Sequence, residues 1–414
     1  MPEISAPTRD RSRPKPRSKP HHEPLTPALE RAAPRPTGSG AQRPGPRLIG
    51  LATALPDHVV DQHEARAFAA ETFGGAFGSS TRLLDVYDHS GIDSRRVCMP
   101  LEWYREPHDF GERNRLYIEH GLALARRASE PALERAGLGP GDIDHVVFVS
   151  STGLATPSLD ARLAQVLGLR EDIHRTPVWG LGCAGGAAGV ARARDFALAD
   201  PGARVLLVAL ELCSLSFQRR DLDRRSLVAA ALFSDGAAAA VVAGPEASGS
   251  GARVVGAGEE RVAGTGGARA LELLASQSTL WPDSLDVMGW EVDGDGLHVV
   301  FSHDIPSIVT EHVRGNLERF LSAHGLSLAE VTHLVAHPGG PRVLEAYASA
   351  LGLAPEAFVH AREVLRACGN MSSPTCLFVL ERLLEHGVAP GDLAVLAALG
   401  PGFASEYVLM RAAM

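Results

Sequence analysis

The chain has 414 residues, 45% of them hydrophobic and 21% charged, with a formal net charge of −9; this allows two or three domains, or one large duplicated one, around a substantial core. No apolar run approaches the roughly 20 residues of a bilayer-spanning helix, and the N-terminus has no apolar signal core, so a soluble, cytoplasmic protein is expected. The cysteines (Cys98, Cys183, Cys213, Cys368 and Cys376) are too few for a disulfide framework, and none pair as Cys-x-x-Cys, so no metal site is expected.

Residues 1–47 hold eleven prolines and ten Lys/Arg against four acids, a local charge of +6. Such a segment cannot bury enough apolar surface to offset its ordering entropy, and disorder is expected. A basic arm is also consistent with a nucleic-acid or membrane tether, although a solvated extension is the simpler reading. Removing +6 from −9 leaves −15 on the core, which argues against nucleic-acid binding there. The only lysines are Lys15 and Lys19. A core Schiff base, a pyridoxal-phosphate lysine and a P-loop lysine are therefore excluded, and phosphate contacts must come from Arg, backbone amides or helix N-termini.

From Leu48 onward, short β-rich runs alternate with Ala-rich helical stretches. The runs His145–Ser150, Arg204–Leu210, Ala237–Val242, His333–Ala336 and Leu393–Leu399 are mostly apolar at every position. They read as strands covered by helices on both faces, an α/β layered architecture. Internal matches sharpen this. Asp142-Ile143-Asp144-His145-Val146-Val147 corresponds to Glu330-Val331-Thr332-His333-Leu334-Val335 at an offset of 188. Leu167-Gly168-Leu169 matches Leu351-Gly352-Leu353 at 184, Gly182-Cys183 matches Gly369-Asn370 at 187, and Ala209-Leu210 matches Ala398-Leu399 at 189. The chain reads as two copies of one α/β unit, residues 48–245 and 250–414, with Cys183 and Asn370 on equivalent turns facing one central site.

Cys183 lies in the small-residue turn Gly180-Leu181-Gly182-Cys183-Ala184-Gly185-Gly186 before the helical Val190–Ala199. At a helix N-terminus the macrodipole favours thiolate, and nearby amides can hold an oxyanion. An inert cysteine in a tight helix–sheet contact explains the same glycines. His337, in Val335-Ala336-His337-Pro338-Gly339-Gly340, sits at a strand end, where its ring can enter a cleft or be a capped core histidine. Asn370, in Gly369-Asn370-Met371-Ser372-Ser373, is either an ordinary cap or turn residue or, because it matches Cys183, part of the site. Together the three form a coherent set. The imidazole exchanges a proton with the thiol, and the imidazole and the amide donate to a developing enolate or oxyanion.

With these motifs in order, the chain resembles the type III polyketide synthases, the chalcone and stilbene synthase superfamily within the thiolase fold. The resemblance covers Leu48 to Met414. It rests on the Cys183 turn, Leu232-Phe233-Ser234-Asp235-Gly236, His337-Pro338-Gly339-Gly340, Gly369-Asn370-Met371-Ser372-Ser373 and Gly400-Pro401-Gly402. It implies two duplicated α/β halves in an αβαβα core. It also implies a homodimer that uses acyl-CoA and malonyl-CoA without metal, cofactor or carrier protein. Cys183 would accept the starter acyl group, and His337 and Asn370 would stabilise the enolate left by malonyl decarboxylation. Phe233 would gate the passage between the CoA tunnel and the cavity, with the Gly400-Pro401-Gly402 loop at the cavity wall.

Departures from the plant pattern point to the bacterial alkylpyrone and alkylresorcinol branch. Val299 stands where a second gate phenylalanine is found in the plant enzymes, and Thr156 replaces a methionine that reaches the partner subunit. Thr152 and Cys213 match small residues that line an acyl tunnel in that branch, although both also suit plain packing. Arg95 and Arg96 are the candidates for the CoA phosphates, the alternative being a solvated pair before a strand. A medium or long aliphatic starter, extended and closed to a pyrone or resorcinol, is the resulting expectation. The competing readings are a priming β-ketoacyl carrier-protein synthase, a Cys-His-Asn hydrolase and a non-catalytic partner subunit. The first normally carries His-Gln-Ala-Asn where His337-Pro338-Gly339-Gly340 stands here.

Overall fold

The structure, a computed structural model, describes residues 44–74, 81–247 and 270–413. Most of the proline-rich segment lies outside these residues, but its last members belong to the fold. Gly45 N–H donates to Glu272 Oε1 at 2.7 Å, Leu273 N–H donates to the Pro46 carbonyl at 2.8 Å, and Arg47 opens the first strand. Disorder therefore does not extend to residue 47: backbone pairing with a distant strand holds the chain from Gly45 on.

The strands are β1 (Arg47–Ala54), β2 (His58–Asp61), β3 (Ser94–Val97), β4 (His145–Val149), β5 (His174–Val178), β6 (Arg204–Leu212) and β7 (Asp235–Ala243), followed by β8 (Leu271–Leu280), β9 (Met288–Asp293), β10 (Gly296–Phe301), β11 (His333–Ala336), β12 (Leu393–Gly400) and β13 (Ala404–Ala412). Among the described residues, nine of them form one sheet in the order β11-β12-β13-β8-β1-β7-β6-β4-β5, with β2–β3 and β9–β10 as separate pairs.

The sheet order carries the internal repeat. Outward from β1 the strands run β1-β7-β6-β4, and outward from β8 they run β8-β13-β12-β11. In each arm one pair (β4–β6, β11–β12) is parallel and the pairs nearer the β1–β8 seam are antiparallel, β5 extending the first arm by one further parallel strand. β4 and β11 are the strands that match at offset 188, and β6 and β12 those that match at 189. The fold is thus two duplicated α/β halves, joined where Leu48 of β1 pairs with Leu271 of β8.

Strand alternation explains why the apolar runs are continuous. Val147, Val149, Leu207, Ala209, Ala238 and Ala240 face one cluster, which includes Ala187, Val190 and Ala191 of the helix Gly185–Ala199. Their neighbours Val146, Phe148, Leu206, Val208, Ala237 and Ala239 face the long helix Phe110–Ala136. The helices Gly185–Ala199 and Thr375–His386 pack on each other and on strands of both arms, forming a central layer. That layer is held by small residues and carries the site at its helix starts. No helix among the described residues is long and apolar enough to cross a membrane.

Candidate active site

Cys183 lies in the short helical turn Gly182–Ala184 that leads into the helix Gly185–Ala199. The turn begins at Gly182 with φ +45°, a conformation an L side chain resists. A Cβ there would lie 2.9 Å from the Pro401 ring, and one at Gly400 would lie 2.5 Å from the Leu181 carbonyl. The Gly400-Pro401 end of the loop is therefore seated on the Cys183 turn itself, which accounts for Gly400, while Gly402 takes a φ of +71°.

Asn370 follows the helix Val359–Cys368 and precedes Thr375–His386. Its backbone is clamped to the segment carrying Phe233: Asn370 N–H donates to Leu232 O, and Ser234 N–H donates to Asn370 O, both at 2.9 Å. Its Nδ2 donates to Gly339 O at 3.2 Å, while Ser372 N–H donates to its Oδ1 at 2.8 Å. His337 leaves β11 with its N–H donating to Ala397 O at 2.8 Å, and a Cβ at Gly339 would lie 3.9 Å from its Nε2. The Asn370 and Ser372 side chains lie close enough to the Cys183 thiol to favour its thiolate. Cys183, Asn370 and the His337–Gly339 segment are thereby brought together from the two halves, and all three side chains are buried.

Burial dominates the electrostatics. It pushes the Cys183 thiol up to about 11, helped by the nearby Glu211 carboxylate, while the Ser372 and Asn370 side chains oppose it. The thiolate preference expected of a helix N-terminus is therefore outweighed. Burial also pulls His337 down to about 4, and neither ring nitrogen has a hydrogen-bond partner among the described residues. A neutral buried imidazole with unpaired nitrogens is equipped to accept a thiol proton or to donate to a substrate oxygen.

Glu211, which the sequence reading missed, lies fully buried on β6. Ser151 N–H and the Thr152 hydroxyl both donate to its Oε2 at 2.9 Å. Burial raises its carboxyl to about 7, with Ser151, Thr152 and Ser373 opposing. The only sequence signal was an acid between Leu210 and Leu212 in an otherwise apolar run.

A pocket of about 790 Å³, counting space open to solvent, is lined by Cys213, Phe233 and Val299, with Phe68, Phe217 and Leu297 among the apolar walls. Cys213 lies close enough to Cys183 for their charges to interact. Thr152 lines a smaller neighbouring cavity of about 230 Å³, and both cavities include Ser216 and Leu297. Phe233 stacks on Phe301 with ring centroids 5.5 Å apart. Its aromatic partner thus stands two residues beyond Val299, on the same face of β10.

Arg95 is a correction. It is buried, and its guanidinium donates to the backbone carbonyls of Ala230, Ala231 and Phe233 and to Gln62 Oε1. Both terminal nitrogens are thereby taken by the protein, which leaves only Nε unpartnered among the described residues and no bidentate fork for a phosphate. Arg96, next on β3, is half-buried, and its guanidinium reaches the Pro56 carbonyl at 3.5 Å. Arg219, Arg220, Arg224 and Arg225 are all exposed and flank, in sequence, the pocket-lining Gln218, Asp221 and Ser226.

A buried Cys-His-Asn set at the junction of two duplicated α/β halves defines a condensing enzyme of the thiolase fold. Residues 38–246 match the family model described as chalcone and stilbene synthases, N-terminal domain, and residues 272–414 match its C-terminal counterpart. The chain belongs to this family, the type III polyketide synthases, which are condensing acyltransferases. A putative chalcone synthase of Bacillus subtilis is 39% identical over 87% of this chain and 97% of its own length. A 1,3,6,8-tetrahydroxynaphthalene synthase of Streptomyces peucetius is 40% identical over 89% and 93%. Among solved structures, the tetrahydroxynaphthalene synthase of Streptomyces coelicolor superimposes with a TM-score of 0.81 at 30% identity, over 89% of this chain and 99% of that one.

Proposed function

We propose that this polyketide synthase loads an aliphatic acyl group from CoA onto Cys183 and extends it with malonyl-CoA before closing a pyrone or resorcinol ring. In this reading sulfur attacks the starter thioester as the thiol proton passes to the neutral His337, which hands it on to the departing CoA thiolate. His337 and the Asn370 amide then hold the malonyl thioester carbonyl. Loss of CO2 leaves an enolate whose charge these donors stabilise, and its carbon attacks the Cys183 acyl thioester. Binding the substrate carbonyl also satisfies one of the two His337 nitrogens that the protein leaves unpaired.

The observation that carries the aliphatic starter is the apolar pocket lined by Cys213, Phe233 and Val299, whose Cys213 lies close enough to Cys183 to interact with it. The exposed arginines 219, 220, 224 and 225 at its rim suit the CoA phosphates, since guanidinium holds phosphate bidentately. A homodimer located in the cytoplasm is part of the same proposal; the dimer is supported by the exposed edge strand β5, with Leu154 and Trp179 exposed nearby.

Product analysis by mass spectrometry, with acyl-CoA starters from C2 to C20 plus malonyl-CoA and no carrier protein, tests the reading. Starter-containing triketide or tetraketide products are expected, with medium or long chains preferred. A naphthalene product is the second reading, carried by likeness to the tetrahydroxynaphthalene synthases. An aromatic product from malonyl-CoA alone, with no starter incorporated, selects it.

A further inference from the structure

His360, Glu363 and His386 stand apart from the catalytic site, and each offers a ligand atom within 4.8 Å of the others. His360 and Glu363 lie one turn apart on the helix Val359–Cys368, and His386 ends the helix Thr375–His386. We propose that these three side chains form a binding site for a divalent transition metal, of the zinc class.

The chemistry of the donor set selects the ion. Two imidazoles and one carboxylate suit Zn²⁺ and its neighbours, whereas Mg²⁺ and Ca²⁺ favour all-oxygen sites. In a tetrahedral site with ligands about 2.0–2.1 Å from zinc, ligand atoms stand roughly 3.3 Å apart. His360 Nδ1 and Glu363 Oε2 are already 3.5 Å apart. The His386 ring lies alongside, its centroid 4.5 Å from that of His360. His386 is exposed, so turning its ring inward displaces no packed neighbour.

The tautomer of His386 is also set. Its Nδ1 lies 2.9 Å from the Arg382 backbone carbonyl, an acceptor, so Nδ1 carries the proton and Nε2 keeps a free lone pair. Metal-bound histidines are commonly oriented by such a bond from the second nitrogen. Arg382 is the one competitor in view, with Nε 3.8 Å from Glu363 Oε2. It has a nearer alternative in Glu385, at 3.2 Å from Nη1, so giving up Glu363 does not leave it unpaired.

The placement suggests what the ion does. The two helices form a hairpin whose closed end carries Asn370 and Ser372, and the proposed ligands lie at its open end. Ten helical residues separate the two ends by about 15 Å. A metal there is too far away to join the chemistry, and instead ties together the open ends of the hairpin that positions Asn370.

The test is Zn²⁺ titration calorimetry on the metal-stripped full-length chain and on His386→Ala, His360→Ala and Cys183→Ala, with thermal melts of each. The Cys183→Ala variant separates this site from zinc capture by the nucleophile. Wild type and Cys183→Ala should take up one Zn²⁺ that His386→Ala and His360→Ala bind more than about 100-fold more weakly, because losing a ligand exceeds the cost of losing an outer partner. Zn²⁺ should raise Tm in wild type but not in the two histidine variants. Equal Zn²⁺ binding by wild type and His386→Ala overturns the proposal. Should the histidine variants fail to fold, the Co²⁺ spectrum of wild type decides: tetrahedral bands without thiolate charge transfer support the site, and their absence refutes it.

Discussion

Replacing Glu211 with Gln isolates the energetic consequence of a buried carboxyl beside the nucleophile. In the folded chain its pKa is raised from 4.5 to about 7 by burial. A folded-state pKa above the unfolded value means the native state holds the proton more tightly. The stability this confers is complete below pH 4.5 and is lost as pH rises through about 7. A shift of about 2.5 units corresponds to about 3 kcal/mol, most of it lost between pH 5 and pH 8.5. Gln keeps an oxygen to accept from Ser151 and Thr152 but cannot ionise. Urea denaturation of both proteins across this range should show Glu211→Gln gaining on wild type by about 2–3 kcal/mol at the alkaline end. Other titrating groups, including Asp235, whose carboxyl burial raises to about 6, are common to both proteins and drop out of the difference. A second readout is available because Glu211 helps to raise the Cys183 thiol, so Glu211→Gln should increase the alkylation rate of Cys183 at mildly alkaline pH. Parallel stability–pH curves for the two proteins would refute the reasoning.

Cys183→Ala should abolish covalent starter loading, seen as loss of the acyl-enzyme mass, while malonyl-CoA decarboxylation persists through His337 and Asn370. Asn370→Ala should slow decarboxylation by about 2.7–4 kcal/mol of transition-state stabilisation, measured as CO2 release, if the amide is a typical oxyanion donor. Cys213→Phe should shorten the preferred starter. Wild-type affinity should climb by at most about 0.8 kcal/mol per methylene, less the ordering of each, and the variant should cut that climb off at a shorter chain. Gly400→Ala puts a Cβ 2.5 Å from the Leu181 carbonyl; urea unfolding should show a loss of about 1–3 kcal/mol, with turnover falling as well.

The duplicated order of the sheet was legible because β4 and β11, like β6 and β12, keep both their apolar patterns and their spacing. The proximity of Cys183 and Asn370 was legible because their turns match at an offset of 187 in the internal repeat. Arg95 was misread because a basic pair before a strand looks solvated. In β3, however, burial alternates, and Arg95 shares the inward face with Val97 while Arg96 points outward. Period-two reading of Ser94-Arg95-Arg96-Val97 would have placed Arg95 with the apolar residue. Phe301 was missed as the partner of Phe233 for a related reason: positions 299 and 301 share a face, and only the structure shows which one meets the ring. Glu211 gave little warning, because its partners Ser151 and Thr152 lie 60 and 59 residues away. The histidine–glutamate cluster joins residues from two helices, and no local spacing reveals it.

The glycines of this chain invite a reading as phosphate-cradling loops, but their surroundings say otherwise. A Cβ at Gly186 would lie 2.2 Å from the Ser373 carbonyl, and one at Gly236 would lie 2.5 Å from Met371 Sδ. Gly186 follows the nucleophile on one half, and Ser373 and Met371 flank Asn370 on the other. The small residues therefore let the two halves approach closely near Cys183 and Asn370, backbone to backbone at Gly186 and backbone to side chain at Gly236. Catalysis needs Cys183 and Asn370 held to within a fraction of an ångström, a tighter tolerance than folding requires. Backbone contact sets that separation more stiffly than interdigitated side chains, which retain rotamer freedom. It follows that adding a methyl group at this seam should reduce turnover by more than its stability cost explains, whereas a cavity made in the outer cluster against Phe110–Ala136 should do the reverse.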